Sequence, residues 1–73
     1  MNWKAINGKE VVDSDGYTVG KIDDLDVDIV NGTVDHLIMK SGFNTKHVIT
    51  LDKIMSIGDK VLLKVRKGDL STK

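Results

Sequence analysis

The stretch Thr18 to Lys40 decides the fold: an alternating acidic run, Ile22-Asp-Asp-Leu25-Asp-Val27-Asp-Ile29-Val30, meets Asn31-Gly32, and the apolar run Val34 to Met39 follows. This is the pattern of a β-hairpin, because Asn-Gly accepts the positive φ angles of a type I′ turn, whose twist matches that of the flanking strands. A two-residue turn sets Val30 opposite Thr33, Ile29 opposite Val34, Asp28 opposite Asp35, Val27 opposite His36, Asp26 opposite Leu37, Leu25 opposite Ile38 and Asp24 opposite Met39. Members of a pair share a face. Ile29, Val34, Val27, Leu25 and Ile38 then form the core face with His36 at its edge, and Leu37 and Met39 point outward beside Asp24, Asp26, Asp28 and Asp35. The apolar parity changes between Ile22 and Leu25, which predicts a β-bulge near Asp23 and Asp24.

Working outward, seven glycines and no proline punctuate segments rich in Val, Ile and Leu, so short strands joined by tight turns are expected. Strands are read at about 9–13, 18–30, 33–40, 46–50 and 60–65, with a turn at Ser14-Asp15-Gly16 and a loop from Ser41 to Thr45. Leu51, Ile54 and Met55 stand at helical spacing, with Thr50 as N-cap and Gly58 as the left-handed residue that ends one helical turn. Residues 67–73 read as a frayed tail. The fold class is all-β: one domain over residues 1–73, core about 6–66, built as a small barrel of about five or six strands with one short helical turn.

A chain of 73 residues buries only about 60% of its unfolded surface, and its core rarely supplies more than about 3–5 kcal/mol of net stability. Cysteine is absent, so disulfides and thiolate metal sites give no support, and close packing or oligomerisation must. Eleven basic and eleven acidic residues balance to zero, against general nucleic-acid binding. The N-terminus lacks the apolar core of a signal peptide and no segment has the length of a membrane span. The expectation is a cytoplasmic protein.

These segments resemble the PRC-barrel family, named for the cytoplasmic domain of the photosynthetic reaction centre H subunit. The resemblance rests on Asn7-Gly-Lys-Glu-Val-Val-Asp13, Asp15-Gly16, Val19-Gly-Lys-Ile22, Leu25-Asp-Val-Asp-Ile29 and Ile54-Met-Ser-Ile-Gly-Asp-Lys-Val-Leu-Leu63, in that order, over about residues 6–65. Members often carry proline before the helical turn, where this chain has Thr50-Leu51. The family includes a domain of a ribosome-maturation factor that grips a ribosomal protein, and archaeal stand-alone proteins associated with cell division as adaptors. The resemblance therefore implies protein binding without catalysis: an adaptor that self-associates, as a homodimer, and docks another cytoplasmic protein, with archaeal cell division as the setting. It brings no catalytic residue, cofactor or metal. The alternative is an RNA- or ribosome-associated binding module.

Asp13-Ser-Asp-Gly16 is similar to the start of a calcium loop, but position five is Tyr17 and position twelve is Asp24, so the aspartates read as a solvated face that discourages edge aggregation. His36 and His47 fall several residues apart on neighbouring strands, too far for a shared metal. The serines have no adjacent histidine and no carboxylate pair has an apolar setting, so no catalytic site is expected. Lys60, Lys64, Arg66 and Lys67 form one basic cluster, which either pairs with the acidic face or meets an acidic partner. The expected contact surface is Leu37, Met39 and Leu62, with Trp3 as a further contact or as a plug over one barrel end, and Asp26, Lys64 and Arg66 on the rim.

Overall fold

In the computed structural model, which describes residues 2–72, local side-chain chemistry starts each element. The Asn2 side chain accepts the Ala5 N–H at 3.0 Å and caps a one-turn helix, α1 (Trp3–Ile6). Strand β1 (Glu10–Val12) then leads into a turn held by Asp13, whose Oδ1 accepts the N–H groups of Asp15 and Tyr17, both at 3.0 Å. Gly16 supplies the positive φ of +88° that this turn requires. The Asp13 carboxylate thus serves the backbone as an Asx turn.

The remaining strands are β2 (Thr18–Asp28), β3 (Thr33–Ser41), β4 (Thr45–Thr50), β5 (Ile54–Ile57), β6 (Val61–Leu63) and β7 (Ser71–Thr72). They form one seven-stranded sheet in the order β5-β6-β1-β2-β3-β4-β7. All neighbours are antiparallel except β1 and β6. The sheet curls into a half-barrel around a cluster of Val11, Ile22, Leu37, Met39, Ile49, Val61, Leu63 and Leu70. Each fully buried Leu, Ile, Val or Met contributes about 1.5–3 kcal/mol by leaving water. At the strand edges, the 3₁₀ turn Leu51–Lys53 approaches the 3₁₀ turn Lys67–Asp69, where Lys53 Nζ donates to the Asp69 carbonyl at 3.0 Å.

The bulge expected in β2 is present: Ile22 pairs with Met39 and Asp24 with Ile38, which leaves Asp23 as the extra residue. The turn is not the two-residue one. No residue other than glycine has positive φ, so Asn31 is not in the type I′ conformation, and only Gly32 is left-handed, at φ +68°. Four residues, Ile29 to Gly32, form the loop instead, and the Gly32 N–H donates to the Asp28 carbonyl at 2.8 Å. Asp28 fixes that loop with both carboxylate oxygens, accepting from the Asn31 backbone N–H at 3.2 Å and from Asn31 Nδ2 at 2.8 Å. The same bonds hold the Asp28 carboxyl below its ordinary pKa.

The longer loop changes the register, and because strand side chains alternate, the faces change with it. Leu25 pairs with Leu37 rather than with Ile38, and Asp26 with His36 rather than with Leu37. Leu37 and Met39, expected outside, are core residues with 2% and 0% of their surface exposed. Ile38 faces the other way and is also buried, outside that cluster. Conversely Val27, Ile29 and Val34, expected inside, are exposed.

Two other expectations change. Ile54 to Ile57 is strand β5, not the continuation of a helical turn, and Gly58 is not left-handed; pairing with β6 half-buries Ile54 and Ile57 and overrides the helical spacing. The C-terminal segment is docked rather than frayed. Leu70 plugs the core at 8% exposure, and Ser71 and Thr72 pair with Val48 and His47. Lys73, the last residue of the expected tail, lies outside the described residues.

Candidate functional site

Pairing between β3 and β4 begins at His36 with Thr50, and β1 reaches along β2 only as far as Lys21. Residues 26–35 therefore extend past the paired edges of the sheet as a two-stranded arm. Val27 and Val34 pair across it, and the alternation that buries Leu37 and partly buries Leu25 continues outward to them. Val27 is 51% exposed, Ile29 88%, Val30 93% and Val34 39%. Singly such residues would be ordinary, but four together at one tip make a contiguous apolar patch.

His36 anchors the base of the arm on the face opposite the core. Its Nε2 lies 2.6 Å from Asp26 Oδ2 and its Nδ1 3.1 Å from Asp35 Oδ2. One ring thus ties both strands together at the point where β4 ends. Asp35 is the residue by which β3 bulges against β2, since Asp26 pairs with His36 and Val27 with Val34. His47 is elsewhere: it lies on the inner face at 7% exposure, with Nε2 3.1 Å from the buried Ser41 Oγ. Its Nδ1 has no hydrogen-bond partner among the described residues. Burial, together with the positive charge of Lys67, pushes its pKa down.

At the other end of the molecule a cleft of about 460 Å³ opens beside the Asp13 turn, walled by Val12, Leu62, Leu63, Met55 and Lys64. Met55 is the extra residue of a bulge between Ile54 and Ser56, which leaves it 60% exposed. Leu62 is half-buried and Lys64 is exposed. Lys60, Lys64, Arg66 and Lys67 are all exposed, and among the described residues none of the four forms an ion pair.

The surface expected from sequence is therefore divided. Leu37 and Met39 are sealed in the core and offer nothing to a partner. Leu62 and Lys64 come together in the cleft, and Arg66 is exposed just beyond them. Trp3 is half-buried in α1 and packs on the core cluster. Asp26 sits at the base of the arm with its carboxylate on His36. Sequence reasoning missed Ile29, Val30 and Met55 as exposed apolar residues. The signal for the first two was present: adjacent Ile29-Val30 breaks the alternation, and Asp28 three residues before Asn31 can hold a longer loop.

Comparison with protein-family models gives the family: the model described as PRC-barrel domain matches residues 1–70 of the 73-residue chain. The chain belongs to the PRC-barrel family. No curated protein matches it. Membership accounts for the curled sheet, and it fits a small binding module, which in this PRC-barrel chain has an arm with an apolar tip and a largely apolar cleft with Lys64 on its wall. No helix among the described residues is long and apolar enough to cross a membrane.

Proposed function

We propose that this PRC-barrel chain is a non-catalytic protein–protein adaptor of the cytoplasm that self-associates and docks a partner protein. The family resemblance suggests archaeal cell division as its setting. The observation that carries this reading is the tip of the arm, where Ile29 and Val30 are 88% and 93% exposed in a chain of only 73 residues. A small domain has little apolar surface to spare, and a contiguous patch of it left in water is the usual mark of a protein contact. The contact surface is accordingly Val27, Ile29, Val30 and Val34, in place of Leu37 and Met39.

Light scattering over a concentration series tests this reading. The wild-type chain is expected to gain mass with concentration. The double variant Ile29→Asp, Val30→Asp is expected to stay at the mass of one chain while its far-UV circular dichroism is unchanged. Equal association by both proteins would remove the arm from the contact. The RNA-linked reading would draw on the exposed basic run from Lys60 to Lys67 and predicts steep loss of RNA affinity with salt. Five aspartates on the hairpin weigh against a phosphate backbone beside it.

A further inference from the structure

The formal neutrality of the chain conceals two opposed halves. Residues 22–39 hold five aspartates and no lysine or arginine, so the rest of the chain, with eleven basic and six acidic residues, has a net charge of +5. The acidic hairpin carries the exposed apolar tip. The remainder carries the apolar cleft of Val12, Leu62, Leu63 and Met55, with Lys64 on its wall and the Asp13 carboxylate turned onto the backbone N–H groups of Asp15 and Tyr17. Each end thus offers what the other lacks: branched aliphatic side chains among carboxylates on one, an apolar recess beside the exposed cations Lys64 and Arg66, unpaired among the described residues, on the other.

The two ends cannot meet within one molecule. The cleft adjoins the Asp13–Gly16 turn, from which β2 departs at Thr18, and the arm tip follows the end of β2 at Asp28. Ten steps of strand separate those residues, about 33 Å at 3.3 Å per residue, and the longest extent of the molecule is 34 Å. Arm and cleft therefore lie at opposite ends of the long axis.

From this we infer that the occupant of the cleft is the arm of a second copy of the chain, docked head to tail. The inference rests on the self-association proposed above and names its geometry. In this head-to-tail arrangement one copy gives only its arm and the other only its cleft, so the interface is heterologous and leaves one free arm and one free cleft on every pair. Growth then continues beyond a dimer unless the rotation between copies closes a ring. Ile29 and Val30 would enter the recess beside Met55 and Leu62, and Asp24, Asp28 and Asp35 would face Lys60, Lys64 and Arg66. Charge pairs of this kind orient an encounter and make it salt-sensitive.

A mixing experiment tests the geometry. One variant disables the arm, Ile29→Asp with Val30→Asp; the other disables the cleft, Met55→Glu with Lys64→Glu. All four positions are exposed, and circular dichroism checks each fold; if Met55→Glu disturbs it, Lys64→Glu alone serves. In sedimentation velocity the wild type should exceed twice the 8.0 kDa of one chain as concentration rises, and its association should weaken between about 0.05 M and about 0.5 M salt. Each variant alone should sediment as one chain. Their equimolar mixture should give a one-to-one pair and nothing larger, because only one intact arm and one intact cleft remain between them.

A wild type that stops at a dimer, or that associates while the mixture stays monomeric, overturns the head-to-tail geometry and leaves self-association standing. A wild type that is a single chain at every concentration overturns both.

Discussion

Strand β2 passes through two environments. Near its start Ile22 is 1% exposed beneath Met39, and just past its end Ile29 is 88% exposed. Both are isoleucines on one hairpin, so side-chain chemistry does not distinguish them. The difference is the surroundings: Ile22 lies in a cluster with residues of β1, β3, β4 and β6, whereas the arm is a pair of strands beyond the paired edges of the sheet. An isolated two-stranded ribbon is marginal in water. Apolar residues in the body therefore hold the fold, and those on the arm tip, left in water, contribute little to it.

The largest test of that contrast is substitution on either side of it. Met39→Ala should cost about 2–5 kcal/mol by leaving a cavity in the core, and Leu37→Asp should abolish folding by burying an unpaired charge. Ile29→Ala should change stability by no more than about 0.5 kcal/mol. Urea denaturation of the three variants reads the difference, and equal costs at 39 and 29 would erase it.

Next is the close approach of β2 to β3. A Cβ added at Gly20 would lie 2.6 Å from the Lys40 carbonyl oxygen and 2.7 Å from Met39 Cγ. Backbone blocks one side, so the substitution cannot be absorbed by a side-chain rotation alone. Gly20→Ala is expected to destabilise by about 1–3 kcal/mol, the usual cost of overpacking, again by denaturation. A neutral result would mean that the body is looser than its packing implies.

A smaller effect belongs to His47. Its folded pKa lies below its unfolded value, so the folded state binds fewer protons and stability rises with pH. The full contribution is present above the unfolded value of 6.5 and is lost as pH falls below it toward the folded pKa. Thermal melts between neutral and mildly acidic pH should show that loss in the wild type and a reduced one in His47→Gln. The first amides to lose protection should be those of the paired strands around His47 and Thr72.

The smallest effect is at the arm loop. Asp28 has a folded pKa below its unfolded 3.8, so its hold on Asn31 is complete above 3.8 and released as pH falls through the folded value. The Asn31 amide resonance should move in that acidic range and not in Asp28→Ala, with little change in global stability.

Much of this molecule was legible in its sequence. Alternation gave the strands, and the parity slip at Asp23 and Asp24 gave the bulge. The register was not legible, because Asn31-Gly32 suits both a two-residue turn and the end of a longer one. The choice was made by Asp28, whose carboxylate bonds Asn31 twice and closes a four-residue loop. One loop then exchanged the faces of Leu37 and Met39 with those expected for Val27 and Val34. Helical spacing after Thr50 found the short turn Leu51–Lys53 but misled at Ile54 and Met55, where pairing with β6 outweighed local preference. Leu70 shows the limit at the C-terminus: a lone leucine among polar residues gives no period, and only the curled sheet supplies the hole it fills.

The central claim is that the apolar tip of the arm exists for contact and not for folding. Amide hydrogen exchange at low and high protein concentration tests it most directly. Protection of Val27, Thr33 and Val34 should rise with concentration as the tip is covered, while the amides of Leu37 and Met39 in the body keep the same slow exchange throughout. Arm amides whose exchange ignores concentration, in samples where mass is increasing, would contradict it.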